Sequence, residues 1–204
     1  NNEIGTIQNL KPLYEICKKN KVIMHTDACQ SYTKVPLSAE DADLITINAH
    51  KIHGPKGVGA LFVKKRTNLS VWQHGGGHEF KQRSGTENIH GIVGFAKAVE
   101  IALNSQEALT EMARLRNKLI DGLLTIPESR LNGPRENRLC SNTNISFMRI
   151  EGESLIGYLN EQGVAASTGS ACSSKSLEAS HVLLSLGLNH EQSHGSLRLT
   201  LSKY

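Results

Sequence analysis

No run of 18 apolar residues occurs in the 204-residue chain, and no signal-peptide-like apolar core is found. The expectation is therefore a soluble, cytoplasmic protein that makes no membrane contact. Aromatic residues make up only 4% of the chain, and lysine and arginine are scattered apart from the short clusters "VKKR" and "ICKKNK". Without a basic stripe interleaved with aromatics, direct nucleic-acid binding is not expected. The four cysteines, Cys17, Cys29, Cys140 and Cys172, contain no C-x-x-C pair, which argues against a zinc site and for free thiols. G-x-x-x-x-G-K-[ST] is not satisfied by "GPKGVG", and H-E-x-x-H is missing. No carboxylate stands at ligand spacing from His50, His53, His74 or His78, so no metal site is expected. Internal repeats and low-complexity tracts are also lacking. The chain has no initiator methionine and no capping element after "LRLTLSKY", and it reads as a fragment.

What remains is ordinary globular material: 38% hydrophobic, 21% charged, with a net charge of +4 and enough length for a real core. Apolar spacing predicts a helix in "IQNLKPLYEICKKN", then a short buried strand from Val22 to Thr26 that ends in Asp27. A second strand, Leu44 to Ala49, ends just before His50 and Lys51, and "GVGALFVKK" reads as a third. This alternation predicts an α/β unit with a largely parallel sheet. A long glycine-rich loop, "WQHGGGHEFKQRSGTEN", precedes helices at about Ile89–Leu103 and Glu107–Leu124. The second of these has Leu109, Met112, Leu115, Leu119 and Leu123 on its apolar face. Beyond Asn104 the expected order is strand "NISFMRI", helix "GESLIGYLNEQG", short strand "GVAAS" and helix "SHVLLSLGL". The character of the chain changes there, which predicts two domains, 1–105 and 106–204.

Ligands in such sheets gather beyond the carboxyl ends of the strands, where Asp27 and Lys51 both lie. Asp27 reads either as a turn or cap residue or as a carboxylate that holds a cation such as a protonated pyridine nitrogen. Lys51 reads either as a surface charge or as an amine able to bond an aldehyde. Taken together, the sharper readings are the two requirements of pyridoxal phosphate. Cys172, in "ASTGSACSSKS", sits among small polar residues, either as an incidental surface cysteine or as an accessible nucleophile. Arg198, alternating with apolar residues in "SLRLTL", is placed to face a cavity and a carboxylate.

The motifs "NNEIGTIQ", "HTDACQ", "HKIHGPKGVGAL", "HGGGHE…RSGTEN", "EGESLIGYL", "STGSACSS" and "SLRLTLS" occur in an order and at separations that resemble the group I cysteine desulfurases, the NifS- and IscS-like enzymes. The resemblance covers essentially the whole chain. It implies the α/β, aminotransferase-like fold-type I of pyridoxal-phosphate enzymes. Residues 1–105 would be the second half of a large cofactor domain, and 106–204 most of an α+β small domain. The N-terminal half of the large domain, with its phosphate loop and ring-stacking histidine, and the extreme C-terminus would be missing.

The resemblance also implies roles residue by residue. Lys51 matches the lysine joined to the cofactor's aldehyde, and Asp27 the carboxylate paired with the pyridine nitrogen. Gln30 and Asn2 match side chains on the phenolic oxygen, and His50 a phosphate contact. Thr86 resembles the threonine that reaches the phosphate in the other subunit, which implies a homodimer. Arg198 resembles the arginine that binds the substrate carboxylate. Cys172 resembles the nucleophile that takes sulfur as a persulfide from L-cysteine, leaving L-alanine, and transiently ligates an iron–sulfur cluster. The sulfur acceptor would be a protein such as an iron–sulfur scaffold, or would serve tRNA thiolation. Asn48 stands where the family usually has serine or threonine as a phosphate ligand, and "SK" stands where the family ends in "GR". Without the missing half, the chain is expected to be inactive alone. The competing readings are a selenocysteine lyase, a non-catalytic fragment that docks a partner, and a pyridoxal-phosphate transaminase or decarboxylase with no thiol step.

Overall fold

The computed structural model describes residues 1–169 and 178–204, so Cys172 lies outside the described residues. Two compact units emerge, one of Asn9–Ser105 and one that joins Asn1–Gln8 to Gln106–Tyr204. The opening eight residues therefore fold with the C-terminal segment, whereas composition groups them with 9–105. The reason is hydrogen bonding: the Leu139 N–H donates to Gly5 O at 2.8 Å and the Ile7 N–H to Asn137 O at 2.7 Å.

In the unit Asn9–Ser105, helix α1 (Leu10–Lys19) stops where Lys21 turns left-handed at φ 57°. The Val22 N–H then bonds back to Cys17 O at 2.9 Å, as helix C-termini commonly do. This turn leaves Val22 and Ile23 exposed, and the Met24 N–H goes to Asp43 Oδ2 at 2.9 Å. Strand β1 is consequently His25–Asp27, shorter than and shifted from the expected Val22–Thr26. Strand β2 (Leu44–Asn48) pairs in parallel with β1, with His25 opposite Leu44 and Asp27 opposite Thr46. Strand β3 (Gly59–Val63) pairs antiparallel with β2, Leu44 opposite Val63 and Asn48 opposite Gly59. The sheet is thus mixed rather than largely parallel. The stretch from Ala49 to Val58 is too short for the crossover that a parallel return needs.

That stretch opens with one 3₁₀ turn, His50–Ile52, which carries Lys51 and closes on His53 at φ 65°. Helix α2 (Ile89–Leu103) starts at Asn88, whose Oδ1 accepts the Gly91 N–H at 3.1 Å. Its Phe95 and Ala98 pack on Ala49 and Ile52, and the Phe95 ring meets Tyr32 edge-on with centroids 6.4 Å apart. A Cβ on Gly94 would stand 2.5 Å from Pro55 Cγ. Glycine there lets the helix press against the turn that holds Lys51.

In the other unit, helix α3 (Gln106–Leu123) buries Met112, Arg116 and Ile120. Leu115, expected on the buried face, is exposed. The inward position goes instead to an arginine, because its Nη1 donates to both Arg138 O and Leu139 O at 2.9 Å. Strands β4 (Ser129–Leu131), β5 (Asn142–Phe147) and β6 (Ser196–Thr200) form an antiparallel sheet with β5 in the centre. All six residues of β5 are buried. Ile145, Phe147 and Leu197 make the apolar side, packed by Leu131, Leu155 and Leu159. The other side is polar. Asn132 Nδ2 donates to Asn144 Oδ1 at 2.7 Å and Ser146 Oγ at 2.8 Å, and Arg138 donates to Asn132 O and Asn142 Oδ1.

Helix α4 (Gly152–Glu161) is capped by Glu151, which accepts from the Glu153 and Ser154 amides. Helices α5 (His181–Ser185) and α6 (His190–His194) follow. The expected strand "GVAAS" is reduced to a single bridge between Ser167 and Arg198, and β4 and α6 were not anticipated. Among the described residues, no helix is long and apolar enough to cross a membrane.

Ile145 is fully buried between two strands and α3. Ile145→Ala is therefore expected to lower the unfolding free energy by about 2–5 kcal/mol, and Ile145→Val by about 1 kcal/mol. Urea titration followed by circular dichroism measures both. A cost near zero for the alanine variant would show that β5 is not the core strand.

Candidate active site

Because β1 and β2 run parallel, their carboxyl ends lie at the same edge of the sheet. Asp27 ends one strand, and Lys51 follows the other on its 3₁₀ turn. Asp27 Oδ1 accepts the Cys29 N–H at 2.8 Å. Burial is the largest single influence on the carboxyl and pushes its pKa up. The Cys29 amide and thiol, the Lys51 charge and His25 together outweigh it, so the pKa ends below the ordinary value. Asp27 is thus an anion at neutral pH, with a cation in its field.

Cys29 is buried, and its Sγ lies 3.8 Å from Thr46 O, to which it donates. Burial first, and the Asp27 carboxylate second, push this thiol up to about 11. It stays protonated and is no nucleophile. Sequence reasoning took Cys29 only as a small buried residue and missed its role as the group that holds Asp27. The adjacency in "DACQ" was the available signal.

The Asn48 Oδ1 accepts the Lys51 N–H at 3.3 Å, so the asparagine's oxygen shapes the lysine's own turn. Lys51 and Gln30 are half-buried, and His50 is exposed. Thr86 is exposed on the glycine-rich loop. Next to it, Ser84 Oγ donates to His74 O at 2.8 Å and the Gly85 N–H to His78 Nδ1 at 3.3 Å. Asp27, Cys29, Asn48 and Lys51 therefore come together in one unit.

Asn2 and Arg198 come together in the other, where Arg198 Nη1 donates to Asn2 O at 3.4 Å. Arg198 sits on β6, and its backbone pairs with Ser167 through bonds of 2.6 and 3.2 Å. Among the described residues, no group of three or more His, Cys, Asp or Glu side chains is placed to hold a metal ion.

The family model for aminotransferase class-V matches residues 1–204. The chain belongs to the aminotransferase class-V family. Within this family it is 49% identical to a cysteine desulfurase IscS of Methanosarcina thermophila, over 100% of the chain and 51% of that relative. It is equally similar, 49% over 100% of the chain and 51% of the relative, to a cysteine desulfurase IscS of Haemophilus influenzae. A solved NifS-like protein superposes with a TM-score of 0.90 at 39% identity, covering 100% of this chain and 54% of that one. The chain spans about half the length of the curated relatives it matches. The resemblance to NifS- and IscS-like proteins and the aminotransferase-like fold class are both borne out.

Aminotransferase class-V proteins of this kind depend on pyridoxal phosphate. Such a cofactor asks for an anion to pair with a pyridinium and an amine to bond an aldehyde. The ionised Asp27 and the neighbouring Lys51 supply that donor set, so the residues present fit the group.

Two outcomes follow. Cys29 is expected to resist iodoacetamide in the folded chain and to react after unfolding in urea, as read by peptide mass. Because the Asp27 pKa is depressed in the fold, its ionised form stabilises the chain above the unfolded value of about 3.9. The stability gap between the wild type and Asp27→Asn is therefore expected at pH 7 and to shrink as pH falls through the folded pKa. Urea titrations at a series of pH values measure it, and a gap that widens on acidification would contradict the assignment.

Proposed function

We propose that this chain carries the reactive half of a pyridoxal-phosphate-dependent cysteine desulfurase, a homodimer of the cytoplasm. The observation that carries this reading is the anionic Asp27 beside Lys51 at the shared end of two parallel strands. It occurs in a chain 49% identical to proteins named cysteine desulfurase. In this reading Asp27 holds the pyridine nitrogen, Lys51 the aldehyde carbon, and Gln30 and Asn2 the phenolic oxygen. His50 and Asn48 face the phosphate, and Thr86 reaches the cofactor of a second copy. Residues 9–105 contribute to the large cofactor domain, and 106–204, joined by 1–8, to the small domain with Cys172.

When bound, the cofactor supplies an electron sink beside the substrate's α-carbon. The chain's own residues do the rest. Arg198 clamps the carboxylate of L-cysteine, and Lys51, once displaced, is the amine that moves protons at the α-carbon. The Cys172 thiolate attacks the substrate sulfur. One carbon–sulfur bond breaks, one sulfur–sulfur bond forms, and the carbon takes a proton to leave L-alanine. The persulfide on Cys172 then passes its outer sulfur to an acceptor protein, such as an iron–sulfur scaffold, or toward tRNA thiolation. A second copy is supported by the loop bearing Thr86, where Trp72 and Phe80 are 89% and 92% exposed. Large aromatics left in water on one loop mark an interaction surface.

The test is to mix the chain with pyridoxal phosphate, reduce with borohydride and map the adduct by peptide mass. A single adduct on Lys51, lost in Lys51→Ala, is expected. Labelling scattered over surface lysines would overturn the reading. Cys172→Ser, treated in the same way without L-cysteine, should keep the Lys51 adduct.

A further inference from the structure

Asn142 and Asn144 are 3% and 0% exposed, although burying an amide is costly unless its hydrogen bonds are made. Both amides have a dictated orientation. Arg138 Nη1 donates to Asn142 Oδ1 at 3.2 Å, and Asn132 Nδ2 donates to Asn144 Oδ1 at 2.7 Å. With each oxygen taken by a donor, each nitrogen is turned toward the opening segment of the chain. Asn144 Nδ2 donates to Glu3 O at 3.1 Å. Asn142 Nδ2 donates to Glu3 O at 3.1 Å and to Asn2 O at 3.4 Å. The segment lies this close because residue 5 is glycine. At φ +73°, a Cβ there would stand 2.6 Å from Asn142 Oδ1 and 2.9 Å from Asn142 Cβ, a conformation and an approach that favour glycine.

Arg198 belongs to the same face of the sheet. It stands directly opposite Asn144 in the pairing of β5 with β6, and directly opposed residues of antiparallel strands send their side chains to one side. Its Nη1 donates to Asn2 O at 3.4 Å, so a single carbonyl receives both Asn142 and Arg198. The backbone of Arg198 is held separately, by bonds of 2.6 and 3.2 Å to Ser167. Strand pairing thus fixes where the arginine starts, and the Asn2 carbonyl bears on where its guanidinium ends.

We propose that Asn142 and Asn144 are positioning residues for the Arg198 guanidinium. They touch no substrate. They seat Asn2–Glu3 on the sheet, and the seated Asn2 carbonyl holds one nitrogen of the guanidinium. A planar fork must be aimed before it can take a carboxylate through two parallel bonds, and holding one nitrogen aims it. Asn2 rides on the same seat, so the two site residues of this unit share one support. This inference rests on the desulfurase reading for what Arg198 binds, but the seating of its guanidinium stands apart from that reading.

The test follows the reaction of each arginine with phenylglyoxal in the intact chain, mapped by peptide mass. Asn142→Ala and Asn144→Ala remove the donors, and Gly5→Ala unseats the segment while every donor remains. Arg198 is expected to react about tenfold faster in each variant, as befits losing a hydrogen bond of a charged group. Arg116, 8% exposed and bonded to the Arg138 and Leu139 carbonyls, should keep its rate. Propionate, which carries the substrate's carboxylate, should protect wild-type Arg198 at about a tenth of the concentration the variants need, and propionamide should protect none. Arg198 reacting at the wild-type rate in all three variants would overturn the proposal. So would Arg198 and Arg116 accelerating together in all three, since that marks a merely structural role. Should Asn142→Ala alone open Arg116, the other two variants decide. A wild-type Arg198 that propionate does not protect would count against the carboxylate clamp of the desulfurase reading and leave the rate comparison standing.

Discussion

Parallel strands share an end, and the pairing of His25–Asp27 with Leu44–Thr46 is the constraint from which the candidate site follows. A carboxylate that closes one strand and a lysine just past the next are held at one edge by backbone hydrogen bonds, at no cost in loop ordering. Everything nearby serves to keep them there. The Cys29 amide grips the carboxylate, and Asn48 shapes the turn of the lysine. Gly94 lets α2 support that turn from beneath. The electrostatics then follow from the placement: the Cys29 hydrogen bonds and then the Lys51 cation keep Asp27 ionised, while burial and the Asp27 carboxylate raise the barrier to ionising the Cys29 thiol against the opposing pull of Lys51. One thiol of the chain is silenced first by burial and then by the carboxylate that prepares the site.

The site was more legible in the sequence than the fold around it. Asp27 and Lys51 could be found because an apolar run that ends in a single ionisable residue is a local signal. The helices were legible for the same reason, since their spacing lies within a short window. Strand direction was not, because it depends on how the chain returns. The ten residues between Asn48 and Gly59 send β3 back antiparallel, and nothing in "GALFV" itself says so. Arg116 was misjudged for a related reason. Spacing favours Leu115 for the interior, but the Arg116 guanidinium goes there because one of its nitrogens reaches both the Arg138 and the Leu139 carbonyl. Glu3 escaped notice because its partners, Asn142, Asn144 and Ser180, are more than a hundred residues away in sequence.

The interior of the second unit is unusual in its chemistry. Strand β5 reads "NTNISF", and its polar residues are as buried as its apolar ones. Arg138, pushed down to about 10 mainly by burial and then by the nearby Arg116, is satisfied by carbonyl and amide oxygens rather than by a carboxylate. Apolar packing tolerates a shift of register more readily than such a network does. The Asn142 and Asn144 amides donate to carbonyls of Asn2 and Glu3, so the polar side specifies how these residues lie on the sheet while the apolar side supplies the cohesion.

That the first eight residues complete a unit whose remainder begins at Gln106 has a consequence for synthesis. Unit Asn9–Ser105 is, topologically, an insertion. It leaves the ribosome with its sequence whole and can pair its strands at once. Residues 1–8 are made before β5 yet have nothing to bind until it exists, so this segment is among the last to find its place. Its docking must also close a loop as long as the entire inserted unit. Relative to β5, the order of synthesis and the order of assembly therefore run opposite for these eight residues, and the asparagines of β5 mark where the two meet.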